Sequence, residues 1–125
     1  MKIRVIAAVA LLAAALTVSC LSLRYVRQTG GKIAALLEEA ESKYVAGENY
    51  DTALDAARKL WEEKHGALGV LLKHSDTDEI EKLFYKIRKY REQGRKEQLF
   101  EAVEDCRAAV EVMLRGEDPA ARNIF

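Results

Sequence analysis

One short run carries a donor set that could hold a metal ion. His74-Ser75-Asp76-Thr77-Asp78 places one imidazole beside two carboxylates within a short run, a donor set that suits a divalent cation. A simpler assignment competes with it. A helix ending near His74 favours a cation there, and a helix starting at Asp76 favours Asp76 and Asp78 as first-turn anions. Glu62-x-x-His65 matches one half of a di-iron carboxylate motif. That site needs a second copy of the motif and two more glutamates on facing helices, and no second copy occurs. His65 falls on an apolar stripe and is expected to be a packed histidine. His65, His74, Asp76 and Asp78 therefore stand as metal candidates only, and no metal or other cofactor is expected.

No nucleophile stands beside a base. Of Ser19, Ser22, Ser42 and Ser75, only Ser75 lies near a histidine, and it reads as a turn residue. There is no glycine-rich phosphate loop. The two cysteines, Cys20 and Cys106, are too few for a disulfide framework. Cys106 reads as a small core hydrophobe. Leu16-Thr17-Val18-Ser19-Cys20 loosely resembles a bacterial lipobox, in which the cysteine is lipidated after cleavage. Thr17 stands where leucine is usual, and apolar Leu21 follows the cysteine. These residues point away from an enzyme.

Charge narrows the partners. The chain has 20 basic and 20 acidic residues. Lys2 and Arg4 stand before the first apolar run, so from Val5 onward 18 bases face 20 acids. A body this near neutrality has no field for gripping nucleic acid. Lys86, Arg88, Lys89, Arg91, Arg95 and Lys96 form a basic run opposed only by Glu92. It could meet anionic lipid or polymer. Glu97, Glu101, Glu104 and Asp105 on the next helix offer ion pairs across an antiparallel hairpin, the preferred expectation.

The elements that carry these residues begin with the uncharged stretch Val5 to Leu23. As a helix it is roughly 28 Å long, close to the hydrocarbon thickness of a bilayer. A basic start followed by an apolar run also describes a secretory signal. Ala13-Ala14-Ala15 lies inside the run, not at its polar end, so an uncleaved signal anchor is expected over residues 1–28. A lipoprotein or a cleaved, secreted product is the alternative. Arg24, Arg27 and Lys32 nearly balance the basic residues before the span. The short head favours a single-pass protein of the cell membrane with its body outside the cytoplasm.

Gly30-Gly31 is expected to break any helix leaving the membrane. Beyond it, apolar residues recur at helical spacing. They predict helices over 32–46, about 50–73, from Asp76 through Tyr90, and 96–115. His74 and Ser75 close the second, where Gly66 and Gly69 mark a kink or a close crossing. Asp76 and Glu79 form a capping box for the third. Trp61, His74, Phe84 and Cys106 are the expected structural residues. The chain thus reads as all-α: an N-terminal membrane helix and an antiparallel bundle of about four helices over 32–118. A tail over 119–125 ends in Ile124-Phe125, which either folds back on the bundle or meets a partner.

Leu60-Trp61, Leu71-Leu72-Lys73-His74-Ser75-Asp76, Ile80 and the closing Arg122-Asn123-Ile124-Phe125 resemble the bacterial family called domain of unknown function 4363. Its members share a short anchor, a helical body with tryptophan then histidine, and a tail ending in NIF. That resemblance implies architecture and no chemistry. Tyr44, Gly47, Tyr50 and Ala53 are similar to the turn of a tetratricopeptide repeat, with one residue too many between glycine and tyrosine. The leading expectation is a non-catalytic accessory module tethered through residues 5–23 and contacting another protein, itself in the membrane. A ligand- or metal-binding bundle and a peptide-binding repeat-like hairpin are the alternatives.

Overall fold

The computed structural model describes residues 2–72 and 74–116, and only the backbone of Leu71 and His74. Four helices follow one another: α1 (Lys2–Ala46), α2 (Asp51–Leu71), α3 (His74–Glu92) and α4 (Lys96–Gly116). The described residues contain no strand. α1 packs on α2 and on α4, and α3 packs on α4. The α2–α3 seam is the sparsest of the four.

α1 is one helix through Gly30-Gly31, not two elements broken there. At 45 residues it is roughly 67 Å long. Its first part is long and apolar enough to cross a membrane, and none of that stretch is buried in the bundle. Burial begins at Val26 and continues through Thr29, Gly30, Ile33, Leu37 and Ala40. Gly30 explains why the helix is not interrupted. A Cβ there would lie 2.6 Å from Leu114 Cδ2 and 3.3 Å from Met113 Cε. The missing side chain lets α4 close onto α1. That close packing offsets the roughly 1 kcal/mol that glycine costs within a helix. Gly31 meets nothing within 4 Å and is carried along by its neighbours.

Both long turns are built alike. Gly47 and Gly94 hold φ of 75° and 70°, the left-handed region that favours glycine. Glu48 N donates to Lys43 O at 2.8 Å and Gly47 N to Tyr44 O at 3.2 Å. After α3, Arg95 N donates to Tyr90 O at 3.0 Å and Gly94 N to Arg91 O at 3.2 Å. Each pair satisfies carbonyls left over at a helix end in a Schellman arrangement. Asn49 Oδ1 accepts from Asp51 N at 2.9 Å and so starts α2.

The α2–α3 join differs from the sequence expectation. α2 ends at Leu71, Leu72 is extended, and His74 opens α3 instead of closing α2. Asp76 then lies inside the first turn of α3, where its charge complements the helix dipole, and is not the cap. Gly66 and Gly69 have open space around them, so neither marks a close crossing.

The core joins Ile33 and Leu37 of α1, Leu54, Trp61 and Leu68 of α2, Ile80, Phe84 and Ile87 of α3, and Leu99, Val103, Cys106 and Val110 of α4. Tyr44, Phe100 and Tyr50 stack at the end farthest from the apolar arm. Their ring centroids are 4.0 Å and 4.7 Å apart in succession, a spacing that adds to area burial.

The two adjacent glycines should respond with opposite signs. Gly30→Ile should destabilise the full chain by about 1–3 kcal/mol, because the Leu114 and Met113 side chains must be displaced. Gly31→Ala should stabilise it by about 0.5–1 kcal/mol. Thermal unfolding of the full chain in detergent checks both. Equal losses at the two positions would contradict the close crossing.

Candidate interaction surface

Among the described residues, the metal candidates do not converge. His65 is exposed, not packed in the stripe. Its Nδ1 lies 3.0 Å from the Glu62 carbonyl oxygen, and its ring stands 6.0 Å from that of Trp61. Past Trp61, α2 buries Leu68 while leaving Gly66, Ala67 and Val70 exposed, so there is no wall for the imidazole to pack on. The Glu62 carboxylate is taken by Arg58 Nε at 2.9 Å. Asp76 is half-buried and Asp78 exposed, while the His74 side chain lies outside the described residues. Among the described residues, no group of three metal-binding side chains comes together.

Cys20 is exposed on the apolar arm and Cys106 is buried, both as free thiols. Burial, with a smaller push from the Asp105 charge, raises the Cys106 thiol to about 12. A thiol held protonated in this way is inert. Trp61 is 2% exposed and stacks on Phe84 at 5.9 Å. Its Nε1–H has no hydrogen-bond partner among the described residues. Ile124 and Phe125 lie outside the described residues.

The described residues also form open surface. Beside Trp61, the sparse α2–α3 seam leaves a groove of about 290 Å3, floored by Leu54, Phe84 and Ile87 and rimmed by Arg58, Arg88 and Arg91. Its arginines are occupied. Arg91 bridges Asp55 at 2.6 Å and Asp51 at 3.2 Å, clamping the end of α3 to the start of α2. Arg88 reaches Glu92 on its own helix at 3.4 Å. On the α1–α4 seam, half-buried Arg107 joins Glu41 at 3.0 Å and Glu111 at 3.1 Å.

The expected ion pairs between the α3 basic run and the α4 acids do not form. Arg91 turns to α2, and Lys82, Lys86 and Lys89 have no ion pair among the described residues. These lysines, with Glu79, Tyr85, Tyr90 and Arg95, line a shallow open concavity of about 760 Å3. Sequence reasoning misses the Arg91 clamp, although its signal is present. Acids at the start of α2 and a base at the end of α3 meet once the two helices run antiparallel.

A family model described as Domain of unknown function (DUF4363) matches residues 20–124 of the chain. No curated protein and no solved structure matches it.

The clamp carries a pH dependence. The hydrogen bond from Arg91 holds the Asp55 carboxyl below its ordinary value, against a smaller opposing effect of burial. A depressed carboxyl stabilises the fold above its unfolded pKa of about 3.9, and that contribution disappears as pH falls through the lower folded value. Asp55 is largely exposed, so Asp55→Asn should cost less than about 1 kcal/mol at neutral pH. The difference from the native chain should vanish at the acid end. Unfolding curves at pH 7 and pH 2 check this, and a difference that persists at pH 2 would contradict the clamp.

Proposed function

This chain belongs to the family described as Domain of unknown function (DUF4363), matched over most of its length, and we propose that it is a non-catalytic helical module tethered to a membrane and contacting another polypeptide chain. The observation that carries this reading is α1. Its apolar arm shows Ile3, Leu11, Leu12, Leu16 and Leu21 between 60% and 82% exposed. Leaving such side chains in water forgoes roughly 1.5–3 kcal/mol each. A bilayer removes that cost, and the arm is long enough to reach across one. The same helix then enters the core, so the body is held within a turn or two of the membrane surface. The outer faces of α3 and α4 point sideways from the tether and are open to a partner.

The experiment uses the full chain in native membranes, with a photo-crosslinking amino acid replacing exposed Tyr85. The chain should resist alkaline extraction, with or without Cys20→Ser, and irradiation should give one discrete adduct containing a second polypeptide. Release into the alkaline wash, or adducts with lipid alone, would refute the reading. Attachment lost with Cys20→Ser would replace the spanning arm by a lipid anchor.

A further inference from the structure

The outward stripes of α3 and α4 are mostly opposite in charge, α3 basic beyond the Asp78 and Glu79 of its first turns and α4 acidic. On α3, Lys82, Lys86 and Lys89 recur at spacings that place them on one stripe. On α4, Glu97, Glu101 and Asp105 recur every fourth residue, and the row continues into Ala108 and Val112, the latter 52% exposed. All six charged residues are exposed. None forms an ion pair among the described residues. The charges at the α1–α4 and α2–α3 seams are paired, whereas these two rows are not.

The two rows are also matched in height. α3 and α4 are successive arms of a hairpin closed at Gly94. Lys86 and Glu101 stand eight and seven residues from Gly94, Lys82 and Asp105 twelve and eleven, Lys89 and Glu97 five and three. At helical rise, the members of each pair lie within about 3 Å of the same level. A two-fold rotation about an axis parallel to the helices preserves level and exchanges the helices. It sets α3 of one copy against α4 of the other, twice over, with lysine facing carboxylate in each contact.

We infer that this α3–α4 face binds a second copy of the chain, forming a side-by-side dimer whose two-fold axis runs along the helices. This rests on the tethered-module reading and names the partner of its free surface. An anionic polymer or an anionic lipid surface would suit the lysine row but be repelled by the acids beside it. The partner that fits carries the same two stripes exchanged, as the chain itself does. Such an interface is isologous and closes on itself. Two chains anchored in one bilayer have the same polarity along the membrane normal, and an axis along that normal is the one that keeps it. Exposed ion pairs are individually weak. Here they set register and orientation, while confinement to one membrane raises the effective concentration.

The test reverses each row. Full chains carrying Cys20→Ser and a dye at Val45→Cys are placed in vesicles of neutral phosphatidylcholine, and energy transfer between copies is measured. The parent should show transfer that falls as salt rises. Reversing α3 (Lys82→Glu, Lys86→Glu, Lys89→Glu) should weaken association by roughly tenfold or more. Reversing α4 (Glu97→Lys, Glu101→Lys, Asp105→Lys) should do the same. Mixing the two reversed chains should restore transfer, which a misfolded variant could not do. No transfer in the parent, transfer indifferent to either reversal, or transfer that appears only with anionic lipid would each overturn the dimer. If the parent is monomeric yet the Tyr85 adduct contains a different polypeptide, the dimer fails and the interaction-module reading stands. Release by alkaline extraction would sink that reading instead.

Discussion

The contact between Gly30 and the α4 side chains above it sits where α1 passes from one surrounding to another. On one side of it, the helix exposes Leu16, Val18 and Leu21 at 60–62%. On the other side, Ile33 and Leu37 are fully enclosed. A single rod can serve both parts only if the bundle closes around it without a gap. Gly30 permits this, because any larger residue would meet Leu114 Cδ2 at 2.6 Å or less. The same approach brings Met113 and Leu114 of α4 onto α1.

With α1 as the fixed member, the other helices divide the work of closing the bundle. The glycine turns at Gly47 and Gly94 reverse the chain with satisfied carbonyls. Arg107 ties α4 to Glu41 of α1, and Arg91 ties α3 to Asp51 and Asp55 of α2. Trp61 and Phe84 fill the space beneath the sparse α2–α3 seam. Charges used on those seams leave Lys82, Lys86 and Lys89 on one helix and Glu97, Glu101 and Asp105 on the next without an ion pair among the described residues. That leftover pattern underlies the proposed pairing of two copies.

The helical fold was legible because its signals are local. The α4 stripe of Leu99, Val103, Cys106, Val110 and Met113 is the buried face of that helix, and the uncharged arm is apparent from composition. Features that depend on a neighbour were not legible. Gly30-Gly31 has the same local look as a break. Only the approach of Leu114 turns it into a crossing. His65 stands on the stripe by spacing, yet it is exposed while Trp61 and Leu68 on either side of it are buried. Arg91 could have met acids on α4 by proximity in sequence, and it meets them on α2 because the antiparallel pairing sets their levels together. In each case the deciding information is which helix lies opposite, and periodicity along one helix does not contain it.

The fold depends on α1 being one unbroken rod from the apolar arm into the core. Spin labels at Leu16→Cys and Val45→Cys, in the Cys20→Ser background, report on it directly, because the buried and unreactive Cys106 thiol stays unlabelled. Twenty-nine residues separate the two sites. Pulsed dipolar measurement on the full chain in membranes should give one narrow distribution near roughly 43 Å. A broad distribution, or a peak shorter by about 10 Å or more as a bend at Gly30-Gly31 would give, would contradict it.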